Sequence, residues 1–452
     1  MMTSIRIPIA CAIILAPIAI ASDGLTESRT LIPLNIGQNG SFGFSIAASL
    51  TRTVTGTPLA EYNGNDSGAA YVHVTNTGQQ LFRLLPDDPS PFAEFGASVA
   101  ATGQRAIVGA PGANGPQNEC GAVYLFNIQT GEQTGKLTAS DAASFAEFGH
   151  SVSASGGRLI VGARIDDQAG QNAGAAYIYD LASGQQLHKL FASDPRAFDA
   201  FGSSVALSGN LAVVGAPNDD KPGGLLGAGS AHLFDVTTGE LIHKLTPDDQ
   251  QFGAGFGTSV AISGNLVVVG SAGGNDSLSS GWAYVFDAGS GQQLHRLSPN
   301  EQVKFDRFGE SVAISGNFIV VGARDRFADA DGGGAAFVFD AQTGQELFRL
   351  FSSDGENFVD AFGTSVAVLG TRAFVGAPRG GGTVLDYGRS YVFDLTPCFA
   401  DVNNDNTVNL ADLNIVLGNF GQATSIGDTN SDGVVDLADL NRVLSDFGTD
   451  CP

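Results

Sequence analysis

The sequence predicts an all-β propeller of seven blades followed by a small α-helical domain, and three observations carry that prediction. Phe-Gly, one variable residue and Ser recur seven times, starting at Phe42, Phe95, Phe148, Phe201, Phe256, Phe308 and Phe362, at intervals of 52 to 55 residues. Each copy is followed by the same order of β-type runs and turns. After Pro397 the repeat stops, and two Asp- and Asn-rich stretches each run into a short segment of helical apolar period. A period this long is one supersecondary unit, and such units bury their faces only by packing on their neighbours.

Within a unit, the Phe-Gly run and a Val/Ile-rich run ending in VGA or a variant (108–110, 161–163, 269–271) are joined by Gly-Asn or Gly-Gly. Residues tolerant of positive φ close tight hairpins. A loop leads to YVFD or a relative (177–180, 337–340), and a turn of the form D-x-x-T/S-G, as in Asp235 to Gly239, leads to a final run such as LHKL at 187–190. Four antiparallel strands repeated seven times pack radially as a propeller. The seventh unit has no fourth run before Pro397, whereas Thr30 to Ile36 precede the first Phe-Gly as that run precedes the later ones. The N-terminus is therefore expected to complete the last blade.

These units resemble FG-GAP repeats, the family that builds the seven-bladed propeller of integrin α-chains and of secreted bacterial proteins. The resemblance covers about residues 30–395. Integrin-type repeats often carry a calcium loop between the first two strands; here that connection is only SGN, SGG or TGQ, so sites of that kind are expected to be absent.

Three segments follow: a signal peptide over residues 1–21, the propeller over 22–396 and a terminal domain over 397–452. The first has Arg6, an apolar run over 7–20 and an Ala19-Ile20-Ala21 ending, the layout of a cleaved leader. No later apolar stretch has the ~20 residues a membrane helix needs, so the mature protein is expected in the secreted or cell-surface compartment of a bacterium. With 46 acidic against 22 basic residues and a formal charge of −24, neither nucleic acid nor an anionic membrane is an expected partner. In an oxidising compartment Cys398 and Cys451, which bracket the terminal segment, are expected to pair, leaving Cys120 free.

Strand connections alternate between the two ends of a propeller. The tight turns share one end, so the loops after VGA and the connections between blades share the other. Variable loops on a repeated scaffold are where recognition resides. Candidate ligand-binding residues there are Asp166, Asp167, Asp219, Asp220 and Asp276, all expected to be exposed, and the expected ligand is a protein or glycan. Ser45, Ser98, Ser151, Ser204, Ser259, Ser311 and Ser365 occupy one position in every unit. A nucleophile would not be copied seven times, so they are read as hydrogen-bonding links within or between blades. His188, His243 and His295 share a position that holds Phe82, Gly135 and Phe348 elsewhere, which argues against a metal cluster. The neighbouring cations, Lys136, Lys189, Lys244 and Arg296 among them, either guard a sheet edge or pair with the inter-blade acids Asp88, Asp141, Asp194 and Asp249.

In the terminal domain Asp401, Asn403, Asp405, Thr407, Asn409 and Asp412 fall at positions 1, 3, 5, 7, 9 and 12 of a calcium-loop frame. Asp428, Asn430, Asp432, Val434, Asp436 and Asp439 repeat the frame 27 residues later. Oxygen donors at alternating positions wrap one calcium, position 7 through its backbone carbonyl. Two ions are expected, one in each EF-hand-like loop. Helices are expected over 410–421 and 437–448, with one apolar face on Leu413, Val416, Leu417 and Phe420 and the other on Leu440, Val443, Leu444 and Phe447. This segment resembles a bacterial type I dockerin, which implies a cohesin-like or other surface protein as partner. Leu410-Ala411 and Leu437-Ala438 stand where cellulosomal dockerins carry hydroxyl pairs.

The chain is thus read as a non-enzymatic recognition protein with a calcium-dependent anchoring module. Alternatives are a dockerin-borne, polysaccharide-active extracellular enzyme and a structural envelope component. No pair of carboxylates stands out from the repeat as an acid–base couple would.

Overall fold

The computed structural model describes residues 25, 27–34, 40–220, 226–273, 280–304, 306–326, 333–352, 360–379 and 387–395, and, towards the C-terminus, 400, 402–403, 407–422, 424, 426–429, 434–445 and 447–448. One compact unit is Gly24–Thr396, and Pro397–Pro452 belong to a second.

The first unit is a seven-bladed propeller, each blade a four-stranded antiparallel sheet. Blade 4 shows the pattern: Ser204–Ser208, Leu211–Ala216, Ser230–Asp235 and Leu241–Leu245, with Ser204 opposite Gly215, Ala216 opposite Ser230 and Ala231 opposite Leu245. The second and third strands are buried on both faces because each blade is covered by the next. Ile160, Ile178 and Leu190 of blade 3 share one core cluster with Phe201, Val205 and Val214 of blade 4. That is why these strands read as continuous apolar runs rather than as alternation.

Strand β1 (Arg29–Leu31) completes the seventh blade, Arg29 opposite Val392 and Leu31 opposite Ser390. It is shorter than the expected Thr30 to Ile36. Pro33 has no N–H to give to a ladder, and the pairing stops before it.

The tight turns share one end as expected. Asp235 Oδ1 accepts from the N–H groups of Thr237 and Thr238, and Asp340 Oδ1 from those of Gln342 and Thr343. Asn265 and Asn317, at the other hairpin of their blades, bond to Asp287 and Asp340, tying both turns together.

The C-terminal unit has helices α1 (Leu410–Asn419) and α2 (Leu437–Ser445). Both end before the expected glycine. Gly421, at φ +77°, donates its N–H to the Val435 carbonyl (2.7 Å), and Gly448, at φ +83°, to the Val408 carbonyl (2.8 Å), so each glycine stitches its helix end to the other loop. The core is Ala400, Val408, Val416, Val435 and Val443, with Leu413 and Leu440 against it. The other half of each expected apolar stripe is not in it: Leu417, Phe420, Leu444 and Phe447 are 44 to 51% exposed. Two helices this short cover only the ridge on which they meet.

Candidate functional site

The repeated serines join neighbouring blades. Each Oγ donates to the carbonyl of the Phe-Gly glycine in the next blade at 2.8 Å, Ser45 to Gly96 and Ser204 to Gly257 among them, and Ser365 to Gly43 closes the circle. The VGA glycine beside each serine has no room for a side chain. A Cβ on Gly215 would lie 2.1 Å from the Gly257 carbonyl oxygen and 2.4 Å from Ser204 Oγ. The Phe of each Phe-Gly is fully buried, edge-on to aromatic residues of its blade's third strand, as Phe148 is to Tyr177 at 5.3 Å. His188, His243 and His295 reach the third-to-fourth-strand turn of the next blade, bonding to the carbonyls of Thr237, Gly289 and Gln342. A ring packed against a turn glycine is all the position needs, which is why Phe82 serves there too.

Of the five loop acids, two are not the exposed residues expected. Asp166 and Asp219 are 2% and 4% exposed. Lys189 Nζ lies 2.9 Å from Asp166 and 2.7 Å from the inter-blade Asp141, and Lys244 Nζ lies 2.8 Å from Asp219 and 2.6 Å from Asp194. Tyr177 donates its hydroxyl to Asp166 at 2.9 Å; burial, then that carboxylate, pushes the phenol well above its ordinary value, so it remains a donor. The cations of the fourth strand therefore pair with the inter-blade acids, as Lys136 also does with Asp88 and Arg296 with Asp249. Asp167 is exposed and Asp220 half-buried, accepting from the N–H groups of Asn172 and Gly227 respectively. Asp276 lies outside the described residues.

Blade 6 inverts the charge of this position. Arg326, 2% exposed, stands where Asp166 and Asp219 stand. Its Nη1 donates to the Glu301 carbonyl at 2.9 Å and lies 3.5 Å from Asp306, and its guanidinium sits 5.2 Å from the centre of the Phe337 ring. Phe337 stands where blade 3 has Tyr177. Burial raises Asp306 to about 6 against the pull of the Phe308 N–H and Arg326, and burial likewise raises Asp199 to about 6.

A feature not read from the sequence is a row of exposed phenylalanines on the same end. Phe92, Phe145 and Phe198 are 57, 58 and 53% exposed and have φ of +58°, +64° and +72°. Their N–H groups are held by the carbonyls of Asn65, Asn118 and Gln171 in the loops after the second strands. A bulky residue in the left-handed region is strained by about 1–2 kcal/mol. The signal available was a Phe three residues before Phe95, Phe148 and Phe201.

The innermost strands enclose a channel of about 240 Å³ lined by residues such as Ala47, Ala100, Val152, Ala206, Ile262 and Ala313. Its lining includes no titratable side chain.

In the C-terminal unit the two position-12 carboxylates are fully buried. Asp412 accepts from the N–H groups of Asn403 (3.0 Å) and Asn409 (2.9 Å). Asp439 accepts from those of Thr429 (2.7 Å) and Asp436 (2.8 Å). These donors turn each carboxylate back into its own loop. Thr407, Asn409, Asp428, Val434 and Asp436 are also described, whereas Asp401, Asp405, Asn430 and Asp432 lie outside the described residues, as do Cys398 and Cys451. Among the described residues no cluster of three or more His, Cys, Asp or Glu is placed to hold a metal, and Cys120 is a free, buried thiol. The donors present, carboxylate, amide and hydroxyl oxygens, fit a hard cation such as calcium.

Seven four-stranded sheets linked by one repeated hydrogen bond define a β-propeller. The FG-GAP repeat model matches residues 79–126, 132–179, 185–234, 240–286 and 292–339, more than half of the chain, and the chain belongs to the FG-GAP repeat family. Each match runs from the fourth strand of one blade through the third of the next. No curated protein matches the chain. Among the described residues no helix is long and apolar enough to cross a membrane.

Proposed function

We propose that this is a secreted or cell-surface recognition protein without catalytic activity, whose propeller binds a protein or glycan through its loop end. The C-terminal double loop binds two calcium ions and docks the chain, dockerin-like, to a cohesin-like or other surface protein. The row of Phe92, Phe145 and Phe198 carries this reading. Three exposed aromatic rings in strained backbone conformations cost stability, and strain retained in successive blades belongs to a surface that is used. The axial channel is lined by no titratable side chain, and Ser153 there has no acid or base beside it in the lining.

The docking half rests on the buried carboxylates of Asp412 and Asp439 and on Leu410 and Leu437, which are 61% and 64% exposed at the starts of the two helices. Apolar side chains there favour a partner that contributes apolar surface rather than hydroxyl recognition. Capture of surface proteins by the purified chain, with calcium and with EDTA, tests both halves. Capture lost in EDTA and lost again in a Phe92→Ser, Phe145→Ser, Phe198→Ser variant is the expected result; turnover of a polysaccharide would overturn the non-enzymatic assignment.

A further inference from the structure

We infer that a pocket where blades 6, 7 and 1 meet at the loop end binds a peptide carboxylate next to an apolar side chain, that is, the C-terminal residue of a partner chain. This deepens the proposed recognition role and rests on it. The pocket holds about 450 Å³, within the size range of small-ligand sites, and its wall joins Phe44 and Leu59 to Arg324, Asp325, Thr364 and Arg379.

The repeated scaffold is kept here and only its side chains change. Arg379 donates its backbone N–H to the Asp360 carbonyl (3.2 Å), as Asn218 does to Asp199 and Asp325 to Asp306. The side chain at this place is Gly112 in blade 2 and Asn218 in blade 4. Likewise Phe44 stands where Ala97, Ser203 and Thr258 stand in other blades.

The charges leave one guanidinium uncompensated. Arg324 lies 2.9 Å from Glu310, Arg307 lies 3.0 Å from Asp325 and 3.3 Å from Glu310, and the two acids thus neutralise those two arginines. Arg379 is exposed and forms no ion pair among the described residues, in a protein whose net charge is −24. Ser41 is 8% exposed, and its Oγ, itself sealed from solvent, has no hydrogen-bond partner among the described residues and lies behind the wall of the same pocket. A guanidinium fork suits a planar carboxylate. Phe44 and Leu59, 41% and 40% exposed, leave apolar surface beside it. An apolar wall of one aromatic and one aliphatic side chain beside the cation matches the last residue of a peptide ending in Leu or Phe.

The test is fluorescence polarisation with the full chain and labelled hexapeptides ending in Leu or Phe, as free acids and as amides, with penta-galacturonate as competitor. The free acids should bind at least about tenfold tighter than the amides, the scale of one charge-assisted hydrogen bond. Arg379→Ala should erase that difference, and Arg379→Lys should keep part of it. Thermal melting of each variant checks that the fold is intact. Equal binding of acids and amides, or discrimination surviving in Arg379→Ala, overturns the inference. Displacement by galacturonate with higher affinity than the peptides overturns the peptide assignment. Partner capture that depends on Phe92, Phe145 and Phe198, with no acid–amide discrimination, removes this site and leaves the recognition role standing.

Discussion

The Ser365 hydroxyl donates to the Gly43 carbonyl at 2.8 Å across 322 positions of chain, the same bond that every other blade makes to its successor. Ring closure thus uses the ordinary inter-blade contact plus one borrowed strand, β1. Ser365→Ala should cost about 1 kcal/mol, the net worth of one hydrogen bond. Thr30→Pro, which places a proline ring in the three-residue β1 ladder opposite Tyr391, should cost more than Ser365→Ala. Chemical denaturation followed by tryptophan and tyrosine fluorescence measures both; equal, negligible losses would mean that β1 does not hold the seventh blade.

Glycines of the repeat differ in what they protect. Gly215→Ala drives a Cβ to within 2.1 Å of backbone in the next blade, whereas Gly209, at φ +57°, has nothing within 4 Å of its Cβ position. Gly209→Ala should cost about 1 kcal/mol from the left-handed backbone alone. Gly215→Ala should cost several times more, because two blades must move apart. Comparable denaturation midpoints for the two variants would contradict the close approach.

The propeller was legible because its signals are local: hairpin glycines, Asp-capped turns and the Phe-Gly period each report on a few adjacent residues. The roles of Asp166 and Asp167 were not. They are neighbours in one polar loop, and what buries the first is Lys189, 23 positions on, and Tyr177, 11 positions on. Nor does composition forecast that Phe92, Phe145 and Phe198 stand in left-handed backbone, since that follows from carbonyls in loops of the preceding blades. In the small unit, helical periodicity marked Leu417 and Val416 alike, and only the meeting of α1 with α2 decides that Val416 is the buried one.

Asp166→Ala should therefore destabilise the propeller by about 2 to 3 kcal/mol, because it leaves Lys189 and Tyr177 short of a shared acceptor. Asp167→Ala, in the same loop, should stay within about 1 kcal/mol, losing only its bond to the Asn172 N–H. Urea midpoints for the two variants decide whether these acids are architecture or surface.

Acid sensitivity follows from histidines held neutral by the fold: two lie in the aromatic rows, and burial, then Arg164, lowers His150 to about 3 as well. Burial lowers His73 and His232 to about 4 from an ordinary 6.5. A base whose folded value is depressed contributes its full stability above the unfolded value. That contribution is lost as pH falls from 6.5 toward 4, about 2 kcal/mol per residue by pH 5. Asp199 and Asp306, raised to about 6, act in the opposite sense, gaining stability as pH falls from 6 toward 3.8. His73→Phe and His232→Tyr, which restore residues found at these places in other blades, remove the contribution of these two histidines and leave that of His150 in place. The double variant should match the parent protein near pH 7.5 and melt higher at pH 5; an unchanged difference between the two pH values would refute the assignment.

The terminal unit should take up calcium one ion per loop. Its segment from Cys398 holds nine Asp and a single basic residue, Arg442. Carboxylates gathered into two short loops repel one another until a cation neutralises them, so binding and ordering are coupled. Asp412 and Asp439, fully buried and each held by two backbone N–H groups, stand at position 12 of the two proposed calcium loops. Calorimetry on the full chain should give a stoichiometry near two, falling to one in Asp412→Ala and in Asp439→Ala and to none in the pair. Chelation should lower the helical signal in circular dichroism without moving the unfolding transition of the propeller. Two-ion binding that persists in the double variant would place the calcium elsewhere, and no binding by the parent chain would end the dockerin-like reading.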